Sequence, residues 1–168
     1  MRRTITLAAA CSLAVSGCAA EDREPLGVPV HIQFEDDSNI DHDAFFTVKQ
    51  LQVSEGDDLC TNPAATPSEY GHWLIADIQV ENTGGDSLFF AAWSFRVNDR
   101  EGKNEVWGDD PGTVCVQQAK VDGGVNVYPG ESRLIRLGFD VPDDRGTLTY
   151  EPSGVEEAVT WSYPGDVA

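Results

Sequence analysis

The sequence contains few basic residues, few histidines and no long apolar segment. Eleven lysines and arginines stand against 29 aspartates and glutamates, which gives a formal charge of −18. A surface this acidic repels nucleic-acid phosphates and anionic lipid headgroups, so we expect no nucleic-acid partner and no membrane binding by the folded domain itself. The longest nearly uncharged run, from Ile5 to Val15, is shorter than the ~20 residues that a membrane-spanning helix needs.

Several catalytic and metal-binding motifs are also missing. Met1 is the only methionine, which excludes the usual blue-copper ligand set of Cys, two His and Met. The chain has no Cys-x-x-Cys or His-x-x-x-His pair for zinc and no Gly-x-Ser-x-Gly motif of a serine hydrolase. We therefore expect no enzymatic activity and no required cofactor. A hydrolase with a hidden acidic site is the weakest alternative, because abundant carboxylates carry no specific signal.

The N-terminus has the features of an export signal. Met1-Arg2-Arg3 is cationic, and the apolar run after it ends in Val15-Ser16-Gly17-Cys18. Small residues before a cysteine resemble the lipobox of bacterial lipoproteins, although Val15 replaces the commoner Leu. The resemblance predicts a signal peptide over 1–17 and a diacylglyceryl group on Cys18. This would anchor the protein in the cell membrane, facing outside the cytoplasm, because two acyl chains suffice for stable attachment. The alternative is an ordinary secretory signal cut near Ala19-Ala20.

Processing would change both the charge and the cysteine content. Loss of Arg2 and Arg3 with the signal shifts the formal charge from −18 to −20. Residues 18–27 form the lipidated cysteine and a polar tether, and a single domain is expected over 28–165.

Cysteine usage then predicts one disulfide. Cys11 is lost with the signal and Cys18 is lipidated, so Cys60 and Cys115 remain as a pair in an oxidising compartment. We expect a bridge that joins the loop over 54–71 to a strand near Cys115. Two free thiols are the alternative.

Apolar and polar residues alternate through most of the exported part, which is typical of β-strands with one buried face. Pro29 indicates an edge strand at the start, and apolar residues on both faces of 45–53 indicate a bulge or a doubly buried strand. We expect Trp93 and Trp161 in the core. The candidate strands are 28–34, 45–53, 74–80, 89–97, 113–118, 125–128, 132–141, 146–151 and 158–163. Many short strands and no helical period predict an all-β antiparallel sandwich.

A set of turn and strand signals adds a resemblance at the level of a family. They are Val80-Glu81-Asn82-Thr83-Gly84, Phe95 with Asn98-Asp99-Arg100-Glu101-Gly102-Lys103, Val127-Tyr128-Pro129-Gly130-Glu131, Leu137-Gly138-Phe139-Asp140-Val141-Pro142 and Leu148-Thr149-Tyr150. Their order is similar to the immunoglobulin-like domain of unknown function in secreted bacterial lipoproteins. Small immunogenic secreted antigens of actinobacteria share that fold. The resemblance implies an immunoglobulin-like sandwich over about residues 44–151 and transfers no catalytic residues.

Two groups of residues are candidates for binding. Trp107 lies in a predicted loop beside Asp109 and Asp110, and an aromatic residue beside acids on a loop is a candidate contact for a partner protein or envelope component. A structural aromatic that covers the end of the sandwich is the alternative.

Calcium is the second candidate ligand. Paired aspartates at 36–37, 57–58, 109–110 and 143–144 could bind calcium if their loops converge, although none has EF-hand spacing. We interpret Asp41-His42-Asp43 as part of a solvated acidic loop. The sequence thus favours a non-enzymatic surface lipoprotein that binds a partner, with a calcium-linked binding module as the alternative.

Overall fold

The computed structural model describes residues 23–36, 38–56, 58–62, 67–102, 105–107, 115–116, 124–152 and 158–163. Within these ranges the chain forms ten strands and one short 3-10 turn, over Ala92–Ser94. The strands are β1 (Val30–Glu35), β2 (Asp41–Glu55), β3 (His72–Asn82), β4 (Leu88–Ala91), β5 (Phe95–Asp99), β6 (Glu105–Trp107), β7 (Gly124–Val127), β8 (Ser132–Val141), β9 (Gly146–Tyr150) and β10 (Val159–Tyr163).

The strands form an antiparallel sandwich. One sheet has the order β1-β2-β3-β8, a second has the order β10-β9-β5-β6, and β4 pairs with β7. Aromatic rings from both large sheets meet between them: Phe46 of β2 lies edge-on to Tyr150 of β9 with ring centroids 4.7 Å apart. Phe90 and Trp161 are buried in the same cluster. The predicted all-β sandwich is confirmed.

The central strand β3 is buried on both of its faces. Leu74, Ala76, Ile78 and Val80 alternate toward the main core. Trp73 and Ile75 point the other way and lie in a second, smaller cluster with Cys115 and Val116. The strand's nearly continuous apolar sequence is explained by this double burial.

The predicted irregularity in β2 is confirmed. Its pairing with β3 shifts in register between Val48 and Gln50. One extra residue at this point changes which face the following side chains occupy, so both Val48 and Leu51 are buried although they are three residues apart.

The single strand predicted over 89–97 is instead interrupted. β4 ends at Ala91, the 3-10 turn follows, and β5 begins at Phe95. Trp93 lies in the turn and is 49% exposed, so its assignment to the core was wrong, whereas Trp161 is buried as predicted. A three-residue turn breaks the two-residue period, and the alternation therefore does not carry across it.

Residues 23–27 connect the two sheets along one side of the sandwich. The amide of Glu24 donates to the Thr160 carbonyl of β10, and the amide of Gly27 donates to the Val48 carbonyl of β2, both at 2.8 Å. Arg23 donates to the Ser162 hydroxyl at 2.8 Å. The chain therefore enters the domain beside the last residues of β10, at what we call the Tyr163 end. The turn between β1 and β2 lies at the opposite end, which we call the Asp36 end.

Candidate functional site

The acidic segment between β1 and β2 belongs to a hairpin. β1 pairs with β2 so that Gln33 lies opposite Asp43 and Phe34 opposite His42. Asp41, His42 and Asp43 are strand residues, and His42 is only 8% exposed. The prediction of a solvated acidic loop at these three positions was therefore wrong. Glu35 and Asp41 face each other across the two strands and remain exposed.

A buried histidine closes the turn of this hairpin. His42 Nε2 lies 3.2 Å from Asp36 Oδ2. The other oxygen of Asp36 accepts the amides of Ser38 at 2.9 Å and Ile40 at 3.0 Å. The Ile40 amide, followed by the His42 side chain, holds the pKa of Asp36 below its usual range. Asp36 thus fixes a tight turn in which Asn39 has a positive φ of 58°.

On the outer face of the hairpin, Asp43 joins three segments. Its carboxylate accepts Gln33 Nε2 at 2.6 Å, lies 3.1 Å from His31 Nε2, and accepts the Thr83 hydroxyl. The amides of Thr83 and Gly84 both donate to the Asp43 carbonyl at 2.9 Å. The Thr83 hydroxyl, then Gln33 and then His31, lower the pKa of Asp43 to about 2.

These contacts indicate a structural role for the carboxylates. Each oxygen of Asp43 already has a protein partner, so this carboxylate of β2 is held by β1 and by the segment after β3. His31 is stacked on Phe45 with ring centroids 4.6 Å apart, which orients its ring along the strand. Among the residues that the structure describes, no three histidine, cysteine or acidic side chains form a group that could hold a metal ion.

The low pKa of Asp43 predicts a pH-dependent stability. Because its folded pKa lies below the usual 3.8, ionised Asp43 stabilises the fold above about pH 4, and this contribution is lost as the pH falls toward about 2. Asp43→Asn should lower the unfolding free energy by roughly 1 kcal/mol at pH 6, a value reduced for solvent screening because the side chain is 35% exposed. Urea unfolding at pH 6, 4 and 3 should show the difference shrinking. Asp41→Asn, an exposed neighbour, is the matched control, and a difference independent of pH would contradict the assignment.

Outside the sheet that contains β3, the structure has a disulfide between Cys60 and Cys115. The amides of Thr61 and Asn62 donate to the Cys115 carbonyl at 2.9 and 3.0 Å. This segment packs on Gly138 of β8, where a Cβ would be in ordinary contact with Val116 Cγ2, 3.4 Å away. The bridge does attach the loop after β2, but Cys115 itself lies outside any strand, contrary to expectation.

Comparison with known proteins assigns the domain to a family. The profile of a domain of unknown function (DUF4352) matches residues 35–159, which is most of the chain. The chain belongs to the DUF4352 family. No curated protein matches it.

Solved structures resemble this DUF4352 protein in fold. A candidate lipoprotein (YcdA) from Bacillus subtilis has a TM-score of 0.50 at 17% identity, over 80% of this chain and 38% of that one. The YjhA protein of the same species has a TM-score of 0.47 at 15% identity, over 84% and 98% of the two chains. The DUF4352 chain thus spans about two fifths of the length of YcdA. Nowhere in its described ranges is there a helix long and apolar enough to cross a membrane.

The predicted binding residues are only partly described. Trp107 is the last residue of β6, opposite Arg96, and not a loop residue as expected. Its side chain, Asp109 and Asp110 lie outside the described part of the DUF4352 protein, so their role in binding stays a prediction.

The predicted calcium loops lie at different ends of the domain. Asp36 lies in the turn between β1 and β2, whereas Asp58 follows β2 and Asp143 and Asp144 follow β8, all three at the Tyr163 end. Asp37, Asp57, Asp109 and Asp110 are outside the described residues. Asp36 therefore lies apart from the other described members of the acidic pairs, and calcium binding by these loops stays a prediction.

Two exposed apolar features of the DUF4352 domain were not predicted. Phe89 and Trp93 are 39% and 49% exposed, with ring centroids 5.4 Å apart. Leu26, Val28 and Ile40 are 41%, 43% and 36% exposed and lie at the two ends of β1. Their exposure could have been expected from their positions in or next to turns, because no opposing sheet covers side chains there.

Proposed function

We propose that the protein is a non-enzymatic lipoprotein, anchored through Cys18, whose DUF4352 sandwich is displayed outside the cytoplasm to bind a partner protein or envelope component. The observation that carries the proposal is the docking of residues 23–27 on β10 and β2. These bonds attach the N-terminal segment at a fixed position on the domain. The lipobox-like residues before Cys18 and the fold shared with a candidate lipoprotein of Bacillus subtilis support it.

The docked segment determines which end of the domain would face the membrane. Arg23 lies against β10 at the Tyr163 end, and it is only five positions after Cys18 in the sequence. At ~3.3–3.6 Å per extended residue, the lipidated cysteine is at most roughly 18 Å from Arg23. The Tyr163 end would therefore face the membrane, and the Asp36 end would point away from it. Repulsion between the acidic domain and anionic headgroups favours the extended form of this short tether.

Two N-terminal cysteines, Cys11 and Cys18, allow a matched test of the lipid anchor. In cells fed a fatty acid that carries a clickable alkyne, the wild-type protein and Cys11→Ala should be labelled equally, whereas Cys18→Ala should lose the label. Cys11 lies within the predicted signal and serves as the control. Any processed Cys18→Ala chain should appear in the soluble fraction. Equal labelling of all three proteins, or processed Cys18→Ala retained on membranes, would refute the anchor.

A further inference from the structure

The first strand of the β1-β2-β3-β8 sheet has one side without a described partner. Among the strands that the structure describes, β1 is the outermost in the order β1-β2-β3-β8 and pairs only with β2. No other described segment forms a backbone hydrogen bond to Val30–Glu35. The described part of the chain thus leaves a row of β1 amides and carbonyls unpaired on this side, and another strand could pair with them.

β1 also lacks three of the features that commonly protect an edge strand. Such strands commonly carry lysine, an internal proline or a bulge. Val30–Glu35 contains neither lysine nor proline, because Pro29 precedes the strand, and the bulge of this sheet lies in β2. Ile32 is buried, with Val30 and Phe34 packed against the core, so the strand is firmly held and presents a regular edge.

The surroundings of this edge are apolar at both ends and acidic on one face. Leu26 and Val28 are exposed before the strand, and Ile40 is exposed after it. The outer face of the hairpin carries Glu35, Asp41 and Asp43 near its turn, and the exposed Lys49 of β2 lies farther from that turn. A strand added next to β1 would therefore place one set of alternating side chains near apolar surface and the other set near carboxylates.

We propose that β1 is a docking edge for an extended segment of a partner protein in which apolar and basic side chains alternate. The main-chain hydrogen bonds provide affinity, and the two faces provide specificity. The inference rests on the proposed function, since it names the partner chemistry that a displayed domain would select. A second copy of the chain fits less well, because self-pairing would bring together two domains of formal charge −20 after processing.

Backbone methylation of a synthetic peptide tests this mode of binding. The probe is a capped seven-residue peptide of alternating valine and lysine, titrated into the full exported chain in neutral detergent. One N-methylated form carries methyl groups on the odd amides and the other on the even amides. Because successive amides of a strand point to opposite edges, only one of the two forms loses the amides that would donate to β1. We expect one form to bind at least about tenfold more weakly and the other to change less than about twofold. The peptide should also protect the amides of 30–35 from hydrogen exchange.

A charge-reversal pair tests the acidic face. Glu35→Lys should weaken binding about fivefold, whereas Glu55→Lys, an exposed acid at the other end of β2, should change it less than about twofold. Equal effects of the two variants, equal effects of the two methylation patterns, no binding at millimolar peptide, or dimerisation through β1 would each overturn the proposal. None of these outcomes alters fatty-acid labelling at Cys18, so failure of the docking edge is distinguishable from failure of the lipid anchor.

Discussion

Removal of the Cys60–Cys115 disulfide should lower the free energy of unfolding by about 4 kcal/mol, because the bridge closes a long loop in the unfolded chain. The two cysteines are 55 residues apart in sequence. In the folded protein the bridge holds the segments around Cys60 and Cys115 over Trp73 and Ile75, outside the main core. Its loss should therefore destabilise the protein without changing the packing between the two sheets.

The measurement is urea unfolding of a Cys60→Ala/Cys115→Ala variant, followed by tryptophan fluorescence. Wild-type protein with its disulfide reduced is a second comparison, and it should lose a similar amount of stability. Far-ultraviolet circular dichroism should keep its β-sheet signal in both cases. A decrease in the unfolding free energy of less than about 1 kcal/mol would contradict the prediction, because it would mean that the bridge hardly restricts the unfolded chain.

Phe90→Ala should destabilise the protein by about 3–5 kcal/mol, because it removes a large side chain from the centre of the sandwich. Phe90 is 1% exposed. Its ring centroid lies 5.1 Å from that of Phe46, 5.4 Å from that of Phe95 and 5.9 Å from that of Tyr150. These neighbours belong to both large sheets, so the cavity would weaken the contact that joins them.

Phe89→Ala is the matched control for this prediction. Phe89 is the adjacent residue of β4, but it points outward and is 39% exposed. Its replacement should cost about 1 kcal/mol or less in the same urea titration. Equal losses for Phe89→Ala and Phe90→Ala would contradict the assignment of the inward and outward faces of β4.

Strand positions were predictable where alternation and turn residues agreed. β8 has the predicted bounds, Ser132–Val141, because an alternating apolar set lies between Pro129-Gly130 and Pro142. The sequence could not show the break at Ala92–Ser94, since a 3-10 turn has no strong residue signature there. Alternation fixes the face of a side chain only within one uninterrupted strand, and Trp93 lies outside one.

The environment of the acidic hairpin was less predictable than its location. Asp41, His42 and Asp43 have the composition of a loop, and their burial depends on pairing with β1 and on contacts with Asp36 and Thr83. Such tertiary contacts override local propensity. The same reason explains why the open side of β1 was not evident: Pro29 indicated an edge strand, but not which neighbours would leave it unpaired.

The central claim, a domain displayed on a lipid anchor, is tested most directly by the mass of the mature N-terminal peptide. We predict that the chain purified from the membrane fraction begins at Cys18 and carries a diacylglyceryl group on its thiol, with or without a further acyl chain on its amine. A mature chain that begins after Ala19 or Ala20, or one that begins at Cys18 with an unmodified thiol, would contradict the account.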